Sequence, residues 1–392
     1  MINVDEALSR VLALACPVAA EEIPLTEAYG RVLAAPVRAG LTQPPFNAAA
    51  MDGYALRRTD LGGELQVIGE AAAGRPWTGD ASQLQSAVRI FTGAPVPDGY
   101  DFVVMQEHVA RDGDRIRIIA PQSHDNIRPQ GADFHEGSEF DPGRPLTPRD
   151  LGLIAAMNAA RLRVSRRPRV VILAGGDELV PPGTPPGPGQ IVCSNDIAIA
   201  AIARQTGADA TCLPIAADTL ESLRSSFRKA AGADLIVTIG GASVGDHDLI
   251  GQITEELGME RSFYKIAMRP GKPLIAGRIG GSAMIGLPGN PVSSMVCAEL
   301  FIRPLIRRMQ GLPKENRIRE GRLGRDIDAE GSRQHYLRAR IETRGGLDIV
   351  TPLGDQDSAR LGLMAAADGL LIRPAGDPAR KAGETVKFLR LD

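Results

Sequence analysis

The sequence predicts a multidomain chain of α/β plus β class, with a central doubly wound parallel sheet, a mostly-β domain ahead of it and a β-barrel behind it. Three observations carry this expectation. The 392 residues exceed one ordinary domain. From Pro168 to about residue 312, buried strand-like runs alternate with amphipathic helices, the pattern of parallel strands joined by helical crossovers. On either side, the alternation gives way to short strand-like runs separated by Gly, Pro and Asp turns.

The chain opens on a helix with a start signal. Asn3 ahead of Val4-Asp5-Glu6 is a capping-box arrangement, Val4, Leu8, Val11 and Ala15 share one face, and Pro17 stops it. Residues 23–41 read as short extended pieces around Tyr29-Gly30. From 43 to 137 the pattern is mostly β, with strands expected at Leu65–Ile68, Ala87–Phe91, Phe102–Gln106 and Arg115–Ile119. Two unusual loops interrupt it, Pro44–Ala55 and Thr92–Pro97. Thr147 caps a further helix with Pro148 at its first position, ending before Arg166.

From Pro168 the strands become continuously apolar. Arg169–Leu173 is a buried strand, and Asn195 caps a helix whose Ile199, Ile202 and Ala203 line one side before Gly207 ends it. Thr211–Ile215 follows, then a helix started by Asp218 with Glu221 three residues on, turning Leu220, Leu223 and Phe227 inward. The stretch Asp234–Asp248 leads into a helix carrying Ile250, Ile253 and Leu257. Asn290-Pro291 starts the last helix of this region, which Pro304 is expected to kink or end. After about 313, Arg338–Glu342, Leu347–Val350, Leu370–Arg373 and Val386–Leu391 read as strands of a small barrel. The Pro/Gly-rich segment 181–189 is a stiff loop after the first strand, placed to be a rim or lid.

Composition narrows the function classes. An apolar share of 43% describes a globular protein with sizeable cores, and a net charge of −2 leaves no basic footprint for nucleic acid. No charged-then-apolar leader and no bilayer-length apolar run are present, so no membrane association is expected. Cys16, Cys193, Cys212 and Cys297 lack CxxC spacing, which argues against a zinc site or a disulfide framework and fits a cytoplasmic protein.

The stretch 234–248 organises the rest. Its apolar half is a strand buried on both faces, and its second half, Gly240-Gly241-Ala242-Ser243-Val244-Gly245-Asp246-His247-Asp248, lets the backbone bend sharply and approach a ligand. The helix that follows offers unpaired N–H groups to an anion, and ligands of open α/β sheets sit at such strand ends. Alone, the stretch is equally an ordinary strand-to-helix turn with an aspartate cap. A near-matching turn, Ala174-Gly175-Gly176-Asp177-Glu178, ends an earlier strand, and Asp218 lies between the two. Carboxylates gathered at one end of a sheet suit Mg²⁺, which takes oxygen ligands and bridges to phosphate. Helix capping, worth about 1 kcal/mol per cap, accounts for Asp218 and for Asp246 or Asp248 singly but not for Glu178. Met268-Arg269-Pro270-Gly271-Lys272-Pro273 places basic groups on a Pro-Gly turn, either an oxyanion clamp or two solvated surface charges. It is not a P-loop, because Lys272 precedes a proline. Gly286–Ser294 again presents a helix N-terminus or a rigid turn, and the lone His247 is read as structural.

Six motifs occur in one order: Met51-Asp52-Gly53-Tyr54-Ala55 closing the 44–55 loop, Phe91–Pro97, Gly176-Asp177-Glu178-Leu179, Gly240–Asp248, Pro270-Gly271-Lys272-Pro273 and Leu287-Pro288-Gly289-Asn290-Pro291. Together, over nearly the whole chain, they resemble the molybdopterin molybdenumtransferase family, that of MoeA and the gephyrin E domain. The resemblance implies a homodimer with a site shared between subunits. The implied domains are 1–42 plus 138–166 as a discontinuous N-terminal and dimerisation domain, 43–137 inserted in it, 167–312 as the α/β molybdopterin-binding domain, and 313–392 as the barrel. It implies insertion of molybdate into adenylylated molybdopterin with release of AMP, assisted by Mg²⁺. Glu178, Asp218 and Asp248 would be metal-binding and catalytic, facing Asp52, Thr92 and Asp133 of the other subunit. Gly240, Gly241, Ser243, Gly245, Pro288 and Pro291 would shape the cofactor site, with Arg269, Lys272, Ser293, Arg338 and Ser358 handling molybdate. Implied partners are the adenylyltransferase of the same pathway and cofactor-accepting enzymes.

The chain departs from the family pattern in three places. Asn47-Ala48-Ala49 stands where an Asp-Asn-Ser triplet is usual, Arg269 replaces a lysine, and His247 and Leu249 flank Asp248 where a small residue and a tyrosine are common. Two alternatives stay open here: the preceding adenylyltransferase, against which the inserted domain and barrel argue, and a catalytically altered paralogue acting as a molybdopterin-binding or scaffold protein.

Overall fold

Every residue of Leu235–Ile239 is buried, as expected of a strand flanked by strands and covered by helices on both faces. The computed structural model describes residues 1–240 and 249–391. The chain forms two compact units, one of Met1–Glu21, Gly30–Ala34 and Val164–Asp392, the other of Glu22–Tyr29 and Ala35–Arg163. It opens with α1 (Val4–Leu12) of the first unit, capped as expected by Asn3, whose Oδ1 accepts from the Glu6 N–H at 2.8 Å.

The second unit is built on β1 (Gly53–Leu56), β2 (Glu64–Ala71), β3 (Ser86–Ile90), β4 (Phe102–Met105), β5 (Val109–Asp112) and β6 (Arg115–Ile118), in the order β4-β1-β3-β2-β6-β5. Only β2 and β3 pair in parallel. Period-two alternation gives the sheet two apolar faces: Ala55, Val88 and Val103 pack on one side, Tyr54, Leu56, Ala87, Phe102 and Val104 on the other. The two unusual loops are hydrogen-bonded to each other. The Ala49 N–H donates to Ala94 O at 2.9 Å, Gly93 N–H to Ala49 O at 2.8 Å and Val96 N–H to Asn47 O at 2.8 Å, while Ala48–Ala49 pairs with Ile127–Arg128. α2 (Pro148–Ala156) starts on a capping box in which Asp150 Oδ2 accepts from both N and Oγ1 of Thr147 at 2.6 Å. Arg144 clamps the same carboxylate bidentately, at 2.6 and 3.0 Å.

In the first unit a sheet of β7 (Arg169–Ala174), β8 (Asp209–Cys212), β9 (Leu235–Ile239), β10 (Glu260–Lys265), β11 (Pro273–Ile279) and β12 (Ser282–Leu287) runs in the order β8-β7-β9-β12-β11-β10. β8, β7, β9 and β12 are parallel; β11 and β10 continue the sheet antiparallel. The helices are α3 (Asn195–Gln205), α4 (Leu220–Lys229), α5 (Leu249–Glu256), α6 (Pro291–Cys297) and α7 (Arg303–Met309). Val170, Ile172, Leu235, Val237 and Ile285 share one core with residues of α1, α3, α6 and α7, whereas Leu173, Ile236 and Met284 meet α4 and α5. The sheet is therefore doubly wound, as the sequence predicts.

The differences from expectation are local and have physical causes. The strand expected at Thr211–Ile215 runs instead over Asp209–Cys212, ending before Pro214, which has no N–H for a ladder. Asp218 does not cap α4; Thr219 does, its Oγ1 accepting from Ser222 N–H at 3.2 Å. Ser194, not Asn195, holds the cap position of α3. Pro304 does not end the last helix, because a π-helical turn, Ala298–Ile302, precedes it and the helix resumes to Met309.

The C-terminal strands β13 (Ile318–Leu323), β14 (Gln334–Arg344), β15 (Leu347–Pro352), β16 (Gly369–Arg373) and β17 (Thr385–Arg390) close into a five-stranded barrel, since β14 pairs with both β15 and β16. Leu323, Leu337, Ala339, Val350, Leu371, Val386 and Phe388 fill it.

Two outcomes follow. A Cβ at Gly53 would fall 1.8 Å from Val104 O, so Gly53→Ala must push β1 from β4 and is expected to cost about 3 kcal/mol or more in urea unfolding. The Asp150 carboxyl is held well below the usual range, chiefly by Arg144 and then by the Thr147 donors, against its own burial. A depressed carboxylate adds stability above its unfolded pKa and loses it as pH falls. Asp150→Ala is therefore expected to lose about 1–2 kcal/mol at pH 7, and the gap from wild type to narrow below about pH 4 in thermal melts.

Candidate active site

The carboxyl ends of β7, β9 and β12 each run into a glycine turn: Gly175-Gly176 after β7, Gly240 after β9 and Gly289 after β12. These turns frame two neighbouring cavities. The larger, about 520 Å³, is lined among the described residues by Glu178, Cys193, Asn195, Gly240, Pro288 and Asn290 with others from the same turns. The smaller, about 320 Å³, is lined by Gly175, Gly176, Glu178, Asp218, Gly240 and the start of α5. Glu178 and Gly240 belong to both. Such a position, at the carboxyl edge of a parallel sheet, is the usual ligand crevice of an open α/β fold.

Local hydrogen bonds fix the two acidic turns to one another. Gly176 N–H donates to Ala216 O at 3.1 Å, and Asp218 N–H donates to Asp177 Oδ1 at 3.1 Å. Gly176 has φ +146°, and a side chain there would collide with the Glu178 carboxylate, which folds back over it. Because Thr219 takes over the cap, the Asp218 side chain is left to the cavity.

Among the described residues no group of three or more His, Cys, Asp or Glu could hold a metal. A pair of carboxylates on one cavity is nevertheless the donor set that Mg²⁺ uses with substrate phosphates, since it keeps several waters and takes one or two protein carboxylates. Glu178 and Asp218 fit that role. Asp248, the third expected ligand, lies outside the described residues, as do Gly241, Ser243 and Gly245.

The other expected residues divide into those near the cavities and those away from them. Pro288 and Pro291 line the larger cavity. Arg269 and Lys272 are exposed on a turn leading to Pro273, which lines it as well. Ser358 Oγ accepts from the Asn290 amide at 3.0 Å and its carbonyl from Val292 N–H at 3.1 Å, so the barrel loop is tied to the start of α6. Ser293 is buried at 4% exposure and lines neither cavity. Arg338 is 1% exposed and lines neither cavity; its guanidinium donates to Gln356 Oε1 at 3.2 Å and to Asp357 O at 2.7 Å, bracing the loop that carries Ser358.

In the second unit Asp52 and Thr92 are brought together. Asp52 Oδ1 accepts from both N and Oγ1 of Thr92 at 2.7 Å. These two donors, and then the Arg89 charge, hold the Asp52 carboxyl below the usual range. Asp133 is exposed and bonded through its backbone to Gln43 O at 3.0 Å, without a bond to either of them. Asn47, where the family usually has an acid, accepts from Gln130 N–H at 2.9 Å.

Asn195 and Cys193 also line the larger cavity. The Asn195 amide donates to Gly289 O at 2.6 Å, locking α3 to the third glycine turn. Cys193 is buried, and that burial, helped by Asp196, pushes its thiol up to about 12, so it is a neutral wall rather than a nucleophile. Residue type alone carries no signal for either role, since both depend on how separate turns meet.

Comparison with known proteins agrees with this arrangement. Three family profiles match in succession: "MoeA N-terminal region (domain I and II)" over residues 2–158, "Probable molybdopterin binding domain" over 171–308 and "MoeA C-terminal region (domain IV)" over 320–391. The chain is 38% identical to molybdopterin molybdenumtransferase 2 of Mycobacterium tuberculosis, covering 90% of both chains. It is 35% identical to the molybdopterin molybdenumtransferase of a Nostoc species, over 95% of this chain and 88% of that one. Among solved structures, the molybdopterin biosynthesis MoeA protein of Pyrococcus horikoshii superposes with a TM-score of 0.85 at 29% identity, covering 100% of this chain and 99% of its own. With three family profiles in succession and relatives above 30% identity along almost its whole length, the chain belongs to the molybdopterin molybdenumtransferase family.

Proposed function

We propose that this protein inserts molybdate into adenylylated molybdopterin with release of AMP, using Mg²⁺, as a cytoplasmic homodimer in molybdenum cofactor biosynthesis. The observation that carries the reading is the convergence of Glu178 and Asp218 on one cavity beside Gly240, with Asp218 not engaged as a cap. Cleaving a phosphoanhydride requires negative charge on oxygen to be neutralised, and Mg²⁺ bound to these carboxylates would supply that neutralisation. The chain's own part is positional. Glycine turns bring backbone close to the ligand, Glu178 and Asp218 would hold the metal beside the phosphates, and the larger cavity holds the organic body of the substrate. Arg269 and Lys272, exposed on the adjoining turn, attract the molybdate dianion. Asp248 is the third acid of this set by family resemblance, and Asp52, Thr92 and Asp133 are supplied by the second subunit. No helix among the described residues is long and apolar enough to cross a membrane.

The direct test follows AMP release from adenylylated molybdopterin with Mg²⁺ and molybdate. Glu178→Gln, Asp218→Asn and Asp248→Ala are each expected to lose about a hundredfold in turnover, and the Mg²⁺ concentration for half-maximal rate is expected to rise in the first two. Undiminished, molybdate-dependent release from any of the three removes that residue from the mechanism. A wild type that releases no AMP on addition of molybdate overturns the reading in favour of a binding or scaffold role.

The shared site has its own test. Asp52→Asn and Asp218→Asn chains, each inactive alone, are expected to regain activity when co-expressed, because a mixed dimer rebuilds one of its two sites, about half the wild-type activity per dimer. A monomer by sedimentation, or no recovery in an isolated mixed dimer, refutes the sharing.

A further inference from the structure

Arg89 lies on β3, in a strand whose other members are apolar or fully buried. It stands opposite Tyr54 in the β1–β3 register, next to Gly53↔Ile90. Its guanidinium contacts residues of three segments that adjoin Asp52 or Thr92. Nη1 donates to Gly53 O at 2.9 Å, fixing the residue after Asp52. Nη2 donates to Gln106 Oε1 at 2.6 Å, and Gln106 N–H donates to Asp52 O at 3.1 Å, fixing the carbonyl of Asp52 itself. The same guanidinium sits 4.6 Å from the ring centroid of Phe91, the residue before Thr92, and 5.1 Å from that of Tyr54.

We propose that Arg89 is the positioning residue of the Asp52–Thr92 pair, holding the 52–53 turn, the 91–92 turn and the end of β4 in one arrangement so that both Thr92 donors meet one Asp52 oxygen. The proposal rests on the reading of Asp52 as part of the reacting centre. Arginine suits the task because one planar group makes two directed hydrogen bonds and lies over aromatic rings at once, which an ammonium cannot do. The constraint is tight from the other side as well, since Gly53 has no room for a Cβ against Val104 O and the turn cannot back away. Arg89 is also the charge that bears on the Asp52 carboxyl, together with the two Thr92 donors. Glu107, whose Oε1 accepts from Gln106 Nε2 at 3.2 Å, is the acid one step further along the network.

Arg89→Met and Arg89→Lys in the full-length protein test this, with Asp52→Asn as reference. For folded Arg89→Met the expected result is a fall in kcat of roughly 10–100-fold with little change in KM. The acidic limb of its pH–rate profile is expected to move to higher pH, because removing the cation raises the Asp52 pKa toward the ordinary value. Arg89→Lys keeps the charge and is expected to restore the acidic limb while recovering only part of kcat. A crystal structure of Arg89→Met is expected to show at least one Thr92–Asp52 hydrogen bond broken. An Arg89→Met protein with both bonds intact and an unshifted acidic limb overturns the proposal. Undiminished turnover in Asp52→Asn overturns instead the reading of Asp52 beneath it, while the crystal structure still decides whether Arg89 sets the geometry.

Discussion

The crevice at the end of the parallel sheet depends on three glycine turns that lie side by side there. A side chain on Gly240 would lie 3.3 Å from Gly175 O, and one on Gly289 would lie 3.8 Å from the Cα of Gly240. The ends of β7, β9 and β12 are held together by their ladder, Ala174 opposite Ile239 and Ile239 opposite Leu287, and by Gly240 N–H donating to Leu287 O at 3.1 Å. Gly240 has φ +84°, a conformation that L side chains rarely adopt. A residue with a Cβ at Gly240 would be strained by its φ, would press on Gly175 O by a few tenths of an ångström and would cover polar backbone with carbon. The position of Glu178 depends on the same feature, since its carboxylate occupies the space that a side chain on Gly176 would take. Acid placement and backbone exposure therefore share one cause.

The broad fold is legible in the sequence because it is written in periodicity. The continuous apolar run of β9, the helix faces of α3 and α4 and the short barrel strands all appear where the pattern puts them, to within a few residues. The antiparallel continuation of the sheet through β11 and β10 is not among those expectations; it is made by the Gly280-Gly281 turn between β11 and β12. Single-residue roles are another matter. Asp218 and Thr219 are nearly equal as caps, so only backbone geometry decides which one caps α4 and which one faces the cavity. Arg338 has a molybdate-handling role only by resemblance, and its surroundings bury it and use its donors on its own loop. Asn195, Cys193 and Arg89 matter through contacts with segments distant in sequence, which no local pattern records.

The departures from the family pattern have structural homes. Ala48 and Ala49 are buried, at 6% and 0% exposure, in the short pairing with Ile127–Arg128. Polar side chains there would need buried partners of their own or cost desolvation, so alanines suit the packing as it stands. Asn47 meets the Gln130 N–H with its side-chain oxygen, a bond that needs an acceptor and not a charge. The loop thus gives up a carboxylate without giving up a hydrogen bond, and the Asp52–Thr92 contact persists beside it.

Arg269 in place of lysine can be weighed by the same physical standard. Its backbone is held on both sides: Met268–Arg269 pairs in parallel with Gln334–His335 of the barrel, and Gly271, at φ +102°, is packed against Cys297 and Met268 with no space for a side chain. The turn cannot shift to suit a different side chain, so the charge is delivered from a fixed point and only its head-group changes. A guanidinium spreads that charge over a plane and offers paired donors, a geometry that matches two oxygens of a tetrahedral oxyanion better than a single ammonium does. What the exchange removes is the compact mobile charge, and Lys272, three residues on and exposed, still supplies one.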